Sequence, residues 1–184
     1  MQDTPGALWT IGHSTRPFDV FAAMLVDAGV RTLVDVRRFA GSRRNPQYSG
    51  EAMGESLAAY DIAYVPMPGL GGRRPAQPDS PHTAWRNASF RGYADYMHTP
   101  AYRAARDSLE RLAREAPTAV MCAEAMWWQC HRGLISDDFK ARGWTVVHVL
   151  APNRADEHPF TGAARLVDGR LDYSLPEPPQ QALF

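Results

Sequence analysis

Short runs of apolar and β-branched residues alternate with segments of helical periodicity along this chain, and this alternation is the strongest constraint on its fold. The pattern predicts strands at residues 7–11, 32–36, 62–65, 118–122 and 145–150. It predicts helices at residues 18–26, 49–60, 90–97 and 100–116, and a last helix that begins at Cys130 or His131 and ends at Arg142. Strands that alternate with helices form a parallel sheet covered on both faces. We therefore expect an α/β fold with three layers and about five mainly parallel strands.

Turn and cap residues mark the limits of these elements. Ser14 or Thr15 is predicted to cap the first helix, and Asp168-Gly169 predicts a small C-terminal hairpin. A long irregular loop is expected at residues 66–89, where five prolines and three glycines occur. The length suits a single domain over residues 1–184, with a core at about 7–175 and a loose tail at 176–184.

The composition limits the partners that bulk properties can suggest. The 20 basic and 20 acidic residues balance, so net charge indicates neither nucleic acid nor a membrane surface. All the basic residues except Lys140 are arginine, which suits bidentate recognition of phosphate but also follows from base composition. No apolar run is long enough to span a membrane, and no secretory leader is recognised. We expect a cytoplasmic protein with no membrane partner.

Polar clusters follow four of the predicted strands. Strand one ends at Gly12-His13-Ser14, strand two at Asp35-Val36-Arg37, strand three leads to Gly71-Gly72-Arg73, and strand four ends at Cys122-Ala123-Glu124. Ligands of open parallel sheets bind beyond the carboxyl ends of the strands. We therefore expect these clusters to meet at one edge of the sheet and to form the functional site.

The segment from Cys122 to Arg132 holds the candidate catalytic groups. The start of the following helix and Arg132 favour a thiolate at Cys122 or Cys130. Glu124, His131 and His13 are candidates for proton transfer. Either cysteine alone could equally be a small buried apolar residue.

A metal site is the competing interpretation of the same side chains. Cysteine, histidine and glutamate are all ligand types, but their spacing here matches no standard zinc pattern. Cys130 and His131 are neighbours, and neighbours on a helix point about 100° apart. We therefore expect no metal ligands and no cofactor.

Residues for substrate binding are predicted from their type and from their place at strand ends. They are Gly12, Ser14, Asp35, Arg37, Arg43, Gly71, Gly72, Arg73, Tyr93, Trp127, Trp128 and Arg132. Arginine binds anionic groups, and aromatic rings stack on bases. Structural alternatives stay open for several: Ser14 as a helix cap, Asp35 as an ion-pair partner of Arg37, and the aromatic residues as core. His148 lies in an apolar strand and is predicted to be a core histidine with satisfied hydrogen bonds.

The clusters, in this order, resemble the bacterial family named domain of unknown function 488. The matching segments are Thr10 to Ser14, Asp35 to Arg37, Leu70 to Gly72, Tyr93 to Met97, and Met121 to Glu124 with Cys130 to Arg132. The resemblance implies an α/β fold and a bacterial origin, and it implies no settled activity. Met126-Trp127-Trp128, between the cysteines, is bulkier than the resemblance leads one to expect.

Three functional hypotheses follow from these residues. The first is an enzyme that acts on a phosphate-bearing nucleotide or nucleic acid through the thiol, His, Glu and Arg cluster. The second is a non-catalytic nucleic-acid-binding module, associated with DNA repair, that uses the Arg-rich segment from Arg37 to Arg91. The third is a metal-dependent hydrolase.

Overall fold

A six-stranded sheet forms the centre of the computed structural model, which describes residues 6–176. Its strands are β1 (Ala7–Gly12), β2 (Thr32–Asp35), β3 (Ala63–Pro66), β4 (Thr118–Cys122), β5 (Thr145–Ala151) and β6 (Arg154–Glu157). The spatial order is β3-β2-β4-β1-β5-β6, and all neighbours are parallel except the β5–β6 pair. A separate hairpin pairs β7 (Arg165–Val167) with β8 (Arg170–Asp172).

Helices cover both faces of this sheet. They are α1 (Phe18–Asp27), α2 (Gly50–Ala58), α3 (Ala88–Met97), α4 (Pro100–Glu115) and α5 (Arg132–Ala141). Side chains of successive strand residues point to opposite faces, so each strand supplies two cores. Met121 packs with α1 and α2, whereas its neighbour Val120 packs with α3, α4 and α5.

The predicted α/β class, the layers and the C-terminal hairpin are confirmed. Within the loop predicted at 66–89, residues 67–87 are irregular apart from a short 3-10 turn at Pro68–Leu70. The sheet has one more strand than expected, since β6 adds an antiparallel edge. The predicted tail lies outside the described residues from residue 177 onward. The helices formed by residues 6–176 are all too short or too polar to cross a lipid bilayer.

The predicted cap of the first helix is wrong. Pro17 is the N-cap of α1, and no side chain caps it. Ser14 instead adopts a left-handed backbone with φ of 51°, and its N–H donates to the carbonyl of Ala123 at 2.8 Å. The segment after β1 is therefore attached to the end of β4 before the helix begins.

The strand order creates a crevice at the carboxyl ends of β1 and β4. These strands are neighbours, but the helices that follow them pack on opposite faces: α1 on one and α5 on the other. The loops that leave the two strands diverge only after Ser14 and Ala123, whose backbones are still hydrogen-bonded. Such a switch point is where open α/β sheets bind ligands.

Candidate functional site

A cavity of about 580 Å³ opens at the carboxyl edge of the sheet, lined mainly by the loops that follow β2 and β4, and we call it the rim cavity. Ten of the predicted site residues line it. They are His13, Arg37, Arg43, Gly72, Arg73, Tyr93, Cys122, Glu124, Cys130 and His131. The structure thus brings together side chains from four loops that are far apart in the sequence.

Seven predicted site residues do not line the rim cavity. They are Gly12, Ser14, Asp35, Gly71, Trp127, Trp128 and Arg132. Most of them contact the residues that line the cavity, or allow the loops of those residues to approach one another. A Cβ at Gly12 would lie 1.8 Å from the carbonyl oxygen of Glu124, so only glycine lets β1 approach that loop. A Cβ at Gly71 would lie 2.8 Å from the backbone of Arg38.

The segment after β2 contributes lining residues that were not predicted as site residues. They are Arg38, Phe39, Gly41, Ser42, Arg44 and Asn45. The Arg-rich stretch that includes Arg43 was a signal for Arg38 and Arg44. No sequence signal marked Phe39. Its ring is 65% exposed, and exposure of an isolated aromatic residue in a loop cannot be inferred from the sequence.

Asp35 and Arg37 form a buried ion pair beneath the cavity. Arg37 Nη2 donates to Asp35 Oδ2 at 2.6 Å, and Arg37 Nε donates to Oδ1 at 2.8 Å. Tyr64 Oη also donates to Asp35, at 2.5 Å. The carboxylate of Asp35 is therefore fully used inside the protein, and it fixes the position of the Arg37 guanidinium.

His13 extends this pair into the cavity wall. Its Nδ1–H donates to the carbonyl of Ser14 at 2.7 Å, so Nε2 accepts from Arg37 Nη1 at 3.2 Å. The ring stacks on Tyr48 with a centroid distance of 4.3 Å. Burial, with the positive charge of Arg37, lowers the pKa of His13. This imidazole is neutral at pH 7, and it can accept a proton only after Arg37 leaves Nε2.

Two buried thiols form the floor of the rim cavity. The Cys122 thiol donates to Glu124 Oε2 at 2.9 Å, and Arg132 Nε donates to Cys130 Sγ at 3.1 Å. A hydrogen bond to Cys130 and burial raise the pKa of Cys122 well above its ordinary value. Burial opposes ionisation of Cys130 too, but the Cys122 hydrogen bond and Arg132 outweigh it and lower the pKa to about 7. Cys130 is therefore the more acidic thiol of the pair.

His131 lies beside the thiols and is held in one tautomer. Its Nε2–H donates to the carbonyl of Val36 at 3.1 Å, which leaves the lone pair on Nδ1. Burial lowers the pKa of His131 to about 4, so the ring is neutral at pH 7. A Cβ at position 72 would lie only 2.8 Å from Nδ1, so Gly72 keeps the space beside that nitrogen clear.

The metal-binding atoms of Cys122, Cys130 and His131 all lie within 4.8 Å of one another. The expected divergence of Cys130 and His131 does not occur, because it assumed that both residues lie on the helix. Cys130 instead precedes α5 in an extended conformation with φ of −143° and ψ of 172°. Only His131 is at the helix N-cap.

The two tryptophans line a smaller apolar cavity of about 170 Å³ that shares Cys130 and Phe90 with the rim cavity. One face of Trp127 is stacked on His148, with a centroid distance of 4.6 Å and an interplanar angle of 7°. Trp128 is half exposed. The face of Trp127 that His148 covers is therefore closed to a base, and only Trp128 offers an exposed indole.

Comparison with known proteins gives a family and nothing more specific. The family described as "Domain of unknown function DUF488" matches residues 17–138, about two thirds of the chain. The match covers the ends of β2 and β4 and the start of α5, whereas Gly12 and His13 precede it. No curated protein and no solved structure was found to match the chain.

Proposed function

The chain belongs to the DUF488 family, and we propose that it is an enzyme that binds a phosphate-bearing nucleotide or nucleic acid in the rim cavity. The cluster of Cys122, Glu124, Cys130 and His131 on the cavity floor would act on this ligand. The observation that carries the proposal is the charge of the cavity lining. Five arginines line it, and Glu124 is the only lining carboxylate among residues 6–176.

Four of these arginines are available to a ligand. Arg37 is paired with Asp35, but no carboxylate of the described residues pairs with Arg38, Arg43, Arg44 or Arg73. An excess of unpaired guanidinium groups around a concave surface concentrates anions there. The planar guanidinium also matches phosphate oxygens in a bidentate geometry. A phosphorylated ligand therefore suits this lining better than a neutral one.

Phe39 supports a nucleotide over inorganic phosphate. Its ring is exposed at the cavity mouth, and the guanidinium of Arg38 lies 5.7 Å from the ring centroid. Aromatic rings in positively charged grooves stack on bases, and each stacked base contributes about 1–3 kcal/mol. A base on Phe39 would leave its phosphate within the arginine-lined part of the cavity.

Binding of a fluorescent nucleoside diphosphate, measured by anisotropy at constant salt, tests the proposal. Arg43→Ala and Arg73→Ala are each expected to weaken binding about tenfold, or about 1.4 kcal/mol. Arg31→Ala is the matched control, since Arg31 is exposed just before β2, at the opposite edge of the sheet. In protein treated with chelator, bound nucleotide is also expected to slow alkylation of both cysteines, because it would cover the cavity floor.

The outcomes separate the hypotheses. Equal loss of affinity in the Arg31 control would mean that only bulk charge attracts the ligand and that the rim cavity is not the site. Salt-sensitive binding of single-stranded DNA without protection of the cysteines would favour the non-catalytic nucleic-acid-binding module instead.

A further inference from the structure

The cluster on the cavity floor has the composition of a metal site. The sulfur atoms of Cys122 and Cys130 and a ring nitrogen of His131 lie within 4.8 Å of one another. Tetrahedral Zn²⁺ has bonds of about 2.3 Å to sulfur and about 2.0–2.1 Å to nitrogen, which place its ligands about 3.6–3.8 Å apart. A contraction of at most about 1 Å at any pair would complete the geometry.

His131 has the orientation that a metal ligand requires. Its Nε2–H is bound to the carbonyl of Val36, a partner that typically fixes the tautomer of metal-binding histidines. No hydrogen bond among residues 6–176 uses Nδ1, and this atom is not itself buried but open to the rim cavity that His131 lines. Gly72 leaves open the space that a side chain would fill beside this nitrogen.

Arg132 supplies an independent observation about charge. It is the largest fully buried side chain, and no carboxylate of the described residues forms an ion pair with it. A buried cation is costly unless a negative group lies nearby. Its Nε donates to Cys130 Sγ at 3.1 Å, so a thiolate is the nearest group that can balance its charge. A thiolate is also the form of cysteine that binds metal.

We propose that Cys122, Cys130 and His131 bind one Zn²⁺ ion whose fourth coordination position faces the rim cavity. Three protein ligands with one open position are typical of catalytic zinc, whereas structural zinc has four. The three metal ligands do not depend on the proposed function. Only the identity of the ligand at the open position rests on it. There the ion would bind water or a ligand oxygen beside Glu124, which lines the same cavity.

Metal analysis of the full chain, purified without chelator under reducing conditions, is the direct test. About one zinc per chain is expected. Replacement of zinc by Co²⁺ is expected to produce thiolate-to-cobalt charge-transfer absorption, and Cys122→Ser or Cys130→Ser should remove about half of its intensity. These spectra need no substrate, so they test the metal site whether or not a nucleotide binds.

Gly72→Ala provides the most selective variant, because it keeps all three ligands and only crowds Nδ1 of His131. It is expected to weaken Co²⁺ binding at least about tenfold, whereas Gly54→Ala, where a Cβ meets only ordinary contacts, should leave it unchanged. A cobalt spectrum unaffected by His131→Gln, or a protein in which Cys122 and Cys130 stay free of metal or form a disulfide, would overturn the site. Zinc without nucleotide binding would instead overturn the proposed function and keep the metal site.

Discussion

Two polar regions of this molecule meet where Arg132 contacts Cys130, and their charged groups are paired in different ways. The rim cavity exposes four arginines for which the described residues provide no carboxylate. Behind the cavity floor, a buried polar chain runs through Arg132, Thr10, His148, His158 and Asp137. All of its members are at most 1% exposed.

The hydrogen bonds of the buried polar chain all run in one direction. The carboxylate of Asp137 can only accept, so His158 Nε2–H donates to it at 2.9 Å. His158 Nδ1 then accepts from His148 Nε2–H at 2.9 Å, and His148 Nδ1 accepts from Thr10 Oγ1 at 2.6 Å. Thr10 Oγ1 accepts in turn from Arg132 Nη1 at 3.4 Å. The prediction that His148 is a satisfied core histidine is confirmed.

The difference between the two regions shows how to separate structure from function among buried and half-buried polar residues. The buried polar chain joins a positive group to a negative one through neutral donors, so it is complete without a ligand. The arginines of the rim cavity have an incomplete set of partners, which a bound anion would supply. Charged residues alone therefore did not mark the site; arginines without a carboxylate partner that also line one cavity do.

Removal of the negative end of the buried polar chain should have the largest effect. Asp137 also accepts from Thr161 Oγ1 at 2.6 Å and from Tyr173 Oη at 2.8 Å, so Asp137→Asn places an N–H donor against donors. We expect the free energy of unfolding to fall by about 3–5 kcal/mol, measured by urea denaturation. Asp156→Asn is the control, since its exposed carboxylate should contribute less than about 0.5 kcal/mol. Similar losses in both variants would contradict a structural role for the chain.

The sequence predicted the site to the extent that the site follows from topology. Parallel strands deliver their loops to one edge, so the meeting of His13, Arg37, Gly72 and Cys122 could be predicted without coordinates. The edge strand β6 could not, because Arg154-Ala155-Asp156-Glu157 has neither apolar alternation nor β-branched residues.

Side-chain pairing could not be predicted, because it depends on contacts between distant parts of the chain. Thr10 and His148 are 138 residues apart, and nothing in either segment marks the other as a partner. The convergence of Cys130 and His131 was missed because the start of α5 was placed at Cys130 or His131 and the two residues were treated as neighbours on the helix. A shift of two residues in that boundary changes the direction of the Cys130 side chain from helical to extended.

Acid should destabilise the protein through the buried polar chain. Burial, with the nearby His158 and Arg132, lowers the pKa of His148 to about 2, whereas an unfolded histidine has a pKa of about 6.5. Below pH 6.5, His148 is protonated in the unfolded chain but stays neutral in the folded chain. The free energy of unfolding therefore decreases as pH falls. From about pH 8 to about pH 5 this one residue should cost about 2 kcal/mol.

His148→Gln checks this expectation, because Gln keeps a donor for His158 but does not titrate. Urea denaturation at both pH values should show a pH-dependent loss about 2 kcal/mol smaller in the variant than in the wild type. An unchanged loss in His148→Gln would mean that other groups cause the acid sensitivity.

The smallest expected effect has the opposite sign and lies in the rim cavity. Arg73 has a left-handed backbone with φ of 58°, which is unfavourable for a residue with a Cβ. Arg73→Gly should therefore raise the free energy of unfolding by about 0.5–1 kcal/mol, while it weakens nucleotide binding as Arg73→Ala does. Asp61→Gly, at φ of 56° and distant from the cavity, should stabilise the protein without any change in binding. If Arg73→Gly instead destabilises the protein, the Arg73 side chain contributes to the fold. Arg73 would then have partners within the protein, as the residues of the buried polar chain do, and the contrast between the two regions would not hold for it.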